Sequence, residues 1–364
     1  MKNQFRHYSV YAIVLSVLIL AFFLTNFPGD RGFFKPGIAE AKITKDSVVS
    51  DKVHPKIKET MDVQERHKDE LMSKPDVIGT ATGIDDLGNA SVLVFAKKEV
   101  EAGEIPDNLE GIPVNVKVTG EFTAMKVKGY KKNPIKVSNT SIFPLPVPIG
   151  ISTGNIGECS SGTIGARVTD GTNVYALSNN HVYALENNAS IGSQVLQPGL
   201  YDTSCALRGN NNIGTLSAFV PINFSGGTNT LDAAIALSSK SLLGNSTPST
   251  GYGTPGSTPV AAALGMAVQK YGRTTSLTKG TIAGINATVT VSYGTNKTAT
   301  FVNQIIVTSQ KAFIKAGDSG SLLVTYPEAN PVGLLFAGNS SGTYVVANSI
   351  QDVLSNFGVT IDGK

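Results

Sequence analysis

The sequence is poor in histidine, cysteine and charge, and each shortage excludes something. Four histidines occur in 364 residues: His7, His54, His67 and His181. The two cysteines, Cys159 and Cys205, have no His or further Cys at ligand spacing. Neither therefore reads as a metal ligand, and nothing in the chain calls for a cofactor. The formal net charge is only +3, and no basic cluster is interleaved with aromatics. Nucleic acid is thus not a natural partner. The chain is 41% hydrophobic and long enough for two domains, so it can bury a sizeable core.

What is present centres on Gly317-Asp318-Ser319-Gly320, a tight turn followed by the apolar run Leu322-Leu323-Val324. A serine hydroxyl is a weak nucleophile without a neighbouring base and N–H groups aimed at the oxyanion it creates. Gly317 can take positive φ, so the N–H groups of Gly317 and Ser319 can converge on one point. Gly320 leaves room for a substrate carbonyl. The shortage of histidine then selects the base. His7 precedes an apolar segment, and His54 and His67 lie in a charged stretch, which leaves His181 at the end of the run Val174–Leu177. Between His181 and Ser319 the candidate acids are Asp202, Asp232 and Glu186, besides Asp318 itself. Asp232 opens the apolar run Ala233–Leu237, where a carboxylate is costly unless paired. A buried Asp accepting from His Nδ1–H is the orienting group that a triad requires. The expected constellation is His181, Asp232 and Ser319.

Along the chain, Lys2 and Arg6 precede an almost unbroken apolar run from Val10 to Leu24, with an Ala39-Glu40-Ala41 site downstream. Residues 1–41 read as a signal peptide or an uncleaved N-terminal anchor, the latter making the membrane a partner. Either way the remainder lies outside the cytoplasm, secreted or at the cell surface. That compartment permits a Cys159–Cys205 disulfide, expected in preference to two free thiols. Residues 42–125 read as a small α+β domain. A helix through Val53, Ile57 and Met61 stops at Pro75, strands follow at Val77–Ile84, Ala90–Phe95 and Ile112–Val118, and a short helix is expected at Ile105–Leu109. Residues 77–123 carry no His, no Cys and no phosphate loop, so this unit is either a propeptide or a permanent spacer. Residues 126–150 form a Lys/Pro linker, with Lys126, Lys128, Lys131, Lys132 and Lys136 before Pro144, Pro146 and Pro148. Residues 151–364 alternate short β-branched runs with turns and end in one helix, capped by Asn348 and stopped by Gly358.

The order His181, Asp232, Ser319 resembles that of the chymotrypsin-fold, trypsin-like serine peptidases. The resemblance rests on Leu-Ser-Asn-Asn-His-Val, Leu-Asp-Ala-Ala-Ile-Ala and Gly-Asp-Ser-Gly-Ser. It extends to Lys270–Thr275 and Gly333–Gly338, and it is nearest the secreted bacterial branch. It implies a mainly β fold of two barrels with a C-terminal helix, the triad in the cleft between them, and a protein or peptide substrate hydrolysed through an acyl-enzyme. A catalytically inactive binding module of the same fold is the alternative. The resemblance also implies a specificity pocket with Phe313 at its base and Phe336, Ala337, Gly338 and Asn339 along its edge. No carboxylate lies among these, which favours small or apolar side chains at the cleaved position. A further implication is a buried ion pair between Arg273 and Asp318 behind the oxyanion loop.

Overall fold

The computed structural model describes residues 55–85, 87–129, 138–209 and 211–364. The leader at 1–41, Val53, His7, His54, Lys131, Lys132 and Lys136 lie outside the described residues. Among the described residues, no helix is long and apolar enough to cross a membrane.

Two β-sheets make up most of the fold, and each supplies one wall of a cleft. In the first, nine strands run in the order Thr360–Ile361, Ala166–Thr169, Val174–Ser178, Ala234–Ser238, Asn212–Phe219, Gln194–Leu196, Ser152–Asn155, Ser160–Thr163 and Val127–Lys128. Its inward residues, among them Ile164, Ala176, Val195, Ile213, Leu216 and Ala236, form one apolar core. The second sheet contains a closed barrel. Its strands Thr298–Thr308, Tyr344–Ser349, Pro331–Gly338, Leu322–Thr325, Ala267–Gly272 and Ser276–Ser292 pair in that order, and Ser276–Ser292 pairs back onto Thr298–Thr308. Closure leaves no free edge within this ring. The expected mainly β, double-barrel fold class is what the chain adopts.

The long strand Ser276–Ser292 has a second partner. Register shifts interrupt its pairing, and Asn286 within it has φ 52°. Bulges of this kind bend a strand and re-aim its edge. Its far half pairs with Val77–Ile84, which pairs in turn with Ala90–Ala96 and then Ile112–Val118. The amino-terminal strands therefore extend the barrel sheet. The helix Pro55–Met72 buries Ile57, Val63 and Leu71, and its Gln64 donates to Thr80 Oγ1 and accepts from Thr82 Oγ1. The helix expected at Ile105–Leu109 is absent; Asn108–Leu109 is instead a short strand on Ile112–Pro113.

The helix Ile350–Phe357 packs Ile350, Val353 and Leu354 into a cluster that also holds Leu177 and Ile235 from the first sheet and Leu322 and Leu334 from the second. It thereby clamps the two sheets together. Its stop is Gly358 at φ 63°, as the sequence suggested, but its cap is Ser349, whose Oγ accepts from Asp352 N–H. Asn348 is drawn inward to a different task described below.

Candidate active site

His181 and Asp232 come from neighbouring strands. Val174–Ser178 and Ala234–Ser238 pair with Ser178 opposite Ala234, so the residues just beyond that end lie side by side. His181 stands in the one-turn helix Asn180–Tyr183, and both it and Asp232 are fully buried. His181 Nδ1 is 2.5 Å from Asp232 Oδ2, and its backbone N–H donates to Oδ1 at 3.1 Å. Three residues that sequence reasoning missed hold Asp232, one by its carboxylate and two by its backbone. Tyr293 O–H donates to Oδ2 at 2.7 Å; burial, and then the Asp232 charge, push its phenol well up, so it stays a donor. Asn179 Nδ2 donates to the Asp232 carbonyl, and Asn348 Oδ1 accepts from its N–H. Asn179 is visible in sequence only as the first of two asparagines before the His. Asn348 reads there as a helix cap.

Ser319 lies on the other wall, before Leu322–Thr325. Its Oγ donates to the Phe336 carbonyl at 3.1 Å, and His181 Nε2 makes no hydrogen bond among the described residues. The first sheet braces the Gly317–Gly320 turn directly. Thr163 N–H donates to the Ser319 carbonyl and Thr163 Oγ1 to the Gly317 carbonyl, each at 2.8 Å. This closeness explains Gly320 better than substrate access does. A Cβ there would lie 2.4 Å from the Thr163 carbonyl and 2.2 Å from Ser178 Oγ.

The expected Arg273–Asp318 pair is corrected by the structure. Arg273 grips Asp202 in a bidentate fork, through Nε at 2.8 Å and through Nη2, and stacks over Tyr201. Asp202, the rival acid, is therefore spoken for at a distance from His181. Asp318 is satisfied by the N–H groups of Thr274, Thr275 and Lys315 and by Thr275 Oγ1. The cation that faces it is Lys270, 3.7 Å away and also fully buried. Lys270 Nζ donates to Thr275 Oγ1 and to the Ser276 carbonyl. Burial, opposed by the Asp318 charge, brings the ammonium down to about 8. Every residue from Val268 to Gly272 is buried, so both faces of this strand are covered and Lys270 is enclosed with its neighbours.

The cleft is occupied by the chain itself. Phe122–Ala124 runs antiparallel to the edge of Pro331–Gly338, with Thr123 opposite Gly338 and Ala124 opposite Ala337. Met125 N–H donates to the Phe336 carbonyl at 3.0 Å. The Met125 carbonyl accepts from Gly317 N–H, whose φ of 100° turns it inward. The Met125 side chain packs in the cluster that contains Phe313 and Ile314. Asn339 Nδ2 donates to the Thr119 carbonyl. Past this point Val127 and Lys128 pair antiparallel with Ser161 and Ser160 on the opposite wall. The five residues Phe313, Phe336, Ala337, Gly338 and Asn339 thus all lie along or beside this one segment.

Cys159 and Cys205 form a disulfide within the first half of the fold. Among the described residues, no group of His, Cys, Asp and Glu is placed to hold a metal ion.

The chain resembles bacterial chymotrypsin-fold serine proteases. A glutamic-acid-specific serine protease is 23% identical, covering 59% of this chain and all of its own, with a TM-score of 0.43. Protease A of Thermobifida fusca is 21% identical over 60% of this chain and all of its own, with a TM-score of 0.43. A Nocardiopsis protease is 20% identical over 59% of this chain and 99% of its own, again at 0.43. No curated protein matches the chain. The Nal1 C-terminal domain family matches residues 255–362.

Proposed function

We propose that this protein is an extracytoplasmic serine endopeptidase that hydrolyses peptide bonds through an acyl-enzyme, with His181, Asp232 and Ser319 as its triad. The observation that carries the reading is the coincidence of two geometries. A buried His181–Asp232 pair stands in one wall, and a peptide carbonyl rests on the N–H of Gly317 in the other. The His181–Asp232 pair and the seated peptide carbonyl come from strands of two different walls, which an ordinary hairpin turn does not require.

In the reaction the Ser319 hydroxyl leaves the Phe336 carbonyl and turns to His181 Nε2. Oγ attacks the carbonyl carbon while Nε2 takes its proton. Asp232 holds the imidazole tautomer with Nδ1–H inward and stabilises the imidazolium. The N–H groups of Gly317 and Ser319 bind the oxyanion. His181 returns the proton to the leaving amine, and water then hydrolyses the ester by the same route in reverse. Residues 42–125 act in this reading as a propeptide that covers the cleft, and 126–150 as the boundary segment. The disulfide and the apolar leader together support a location outside the cytoplasm.

The Ser319 Oγ bond to Phe336 favours one alternative, an inactive module of the same fold that merely binds peptides. Labelling by a fluorophosphonate reagent separates the two. The reagent is applied after limited proteolysis has removed the segment that covers the cleft: label that disappears in Ser319→Ala establishes an activated serine, and no label on either uncovered protein supports the binding module.

A further inference from the structure

Lys126 follows directly after the residue whose carbonyl rests on Gly317, yet its side chain is not in solvent. Only 7% of it is exposed. Its Nζ lies 2.9 Å from Glu158 Oε2 and 3.1 Å from Glu186 Oε1, and it donates to the His181 carbonyl at 2.8 Å. The two glutamates are themselves largely buried, at 18% and 11% exposure. Each is fastened to the machinery. Glu158 adjoins Cys159 of the disulfide, and Glu186 follows the short helix that carries His181. Their other partners are Lys128, which is 62% exposed, for Glu158 and Lys297 for Glu186. When residues 126–128 leave, Glu158 loses both of its lysines and Glu186 keeps one. The vacated site then carries net negative charge in a sheltered setting, where a cation is held far more strongly than at an open surface.

We infer that Glu158 and Glu186 form a specificity subsite for a lysine or arginine on the leaving-group side of the cleaved bond, and that Lys126 is its first occupant. The inference rests on the peptidase reading above. It names Met125–Lys126 as the chain's own susceptible bond. Ser319 Oγ bonds to the Met125 carbonyl carbon, the bond from that carbon to Lys126 N breaks, and the proton held on His181 goes to the new Lys126 amine. Water then releases Met125 as a carboxylate and restores the serine hydroxyl. The glutamates touch no reacting atom; they set where the amino side of the leaving fragment lies.

The test combines two measurements on protein made as the full chain, the first after its amino-terminal segment has been cut and released, the second on the uncut chain. The first is the ratio of kcat/KM for peptides Phe-Thr-Ala-Met-Xaa-Val, where Xaa is Lys, Arg, Ala or Glu. We expect Lys and Arg to exceed Ala at least tenfold in the wild type, and that ratio to fall below threefold in Glu158→Gln/Glu186→Gln. The second needs no activity: amide hydrogen exchange of residues 126–129 in Ser319→Ala. Adding either Lys126→Ala or the paired Gln changes should speed that exchange at least tenfold while leaving Phe122–Ala124 protected. A protein labelled by fluorophosphonate that cuts Lys and Ala peptides equally overturns the subsite and spares the peptidase reading. Protein freed of the covering segment that stays unlabelled defeats the peptidase reading, and the exchange result alone then decides whether the glutamates hold a basic residue. Unchanged exchange in both variants overturns the inference in either case.

Discussion

Lys270, and not Arg273, is the cation that faces Asp318, at 3.7 Å in a fully buried setting. Arg273, three residues further on, spends its fork on Asp202. Two separate buried ion pairs therefore stand beside the Gly317–Gly320 turn. Breaking a buried pair by removing one partner costs about 3–5 kcal/mol, because the other charge is left uncompensated. Asp318 keeps its hydrogen bonds from Thr274, Thr275 and Lys315, so Lys270→Met should fall near the lower end. In urea denaturation, Lys270→Met with Asp318→Asn should cost less than the two single losses added, and likewise Arg273→Met with Asp202→Asn. Arg273→Met with Asp318→Asn should couple more weakly than either of those pairs, because the two side chains meet only through Thr274. The opposite pattern of coupling would return the pair to Arg273.

The same lysine makes stability depend on pH. Its folded value of about 8 lies below its ordinary 10.5, so between those two values the unfolded chain binds more protons than the native one. Stability contributed through Lys270 therefore rises with pH across that window. The wild type should gain on Lys270→Met between pH 8 and 10.5, as read from denaturation midpoints. A wild type that loses ground there would mean that Lys270 keeps its proton more tightly when folded.

The triad and its support should separate by size of effect. Ser319→Ala and His181→Ala should abolish amidase activity with the fold intact by circular dichroism. Asp232→Asn should cost on the order of 10⁴ in kcat. Tyr293→Phe removes one hydrogen bond to a charged oxygen and should cost about tenfold in kcat. Asp202→Asn should lower the melting temperature while the folded protein turns over within about threefold of wild type, since Asp202 serves Arg273. A crippled kcat in folded Asp202→Asn would reassign the acid.

Specificity at the cleaved position should follow the apolar surroundings of Met125, which packs among Val268, Phe313, Ile314 and Val345. Peptide amides ending in Met or Leu should be cut at least tenfold faster than those ending in Lys or Asp. In the chain itself, Met125→Asp should arrest any cut before Lys126, seen by intact mass. Equal rates for Lys and Met would place the side chain elsewhere.

Much of this was legible in the residues. Gly317–Gly320, the lone suitable histidine and the carboxylate at the head of an apolar run all point to one cleft. The Arg273 expectation failed for a plain reason: a sequence shows that a buried carboxylate needs a cation, but not which of two nearby cations the strand turns inward. Lys270 lies in a strand buried on both faces, so alternation alone could not set it apart from Arg273, which is buried as well. Asn348 misled because an amide suits a helix cap and a buried network equally well. The contacts made by Tyr293 and by the glutamates at 158 and 186 were beyond reach, because they join positions far apart in the chain and depend on how distant strands meet. The path of residues 122–128 through the cleft was hidden likewise, since a short apolar stretch ahead of lysines looks like any connector.

The strand Ser276–Ser292 closes a ring on one edge and carries Val77–Ile84 on the other. A nick after Met125 would break the covalent chain without touching that ladder, which joins Gly79 to Val289 and Thr80 to Thr288. Scission and departure are therefore distinct events with distinct barriers. The first would yield a two-polypeptide particle of unchanged size, separable only under denaturing conditions. The second must strip a row of main-chain hydrogen bonds and bare a fresh sheet edge, which is prone to recruit other strands. Maturation in this protein would thus be timed by the peeling of the amino-terminal sheet rather than by the cut.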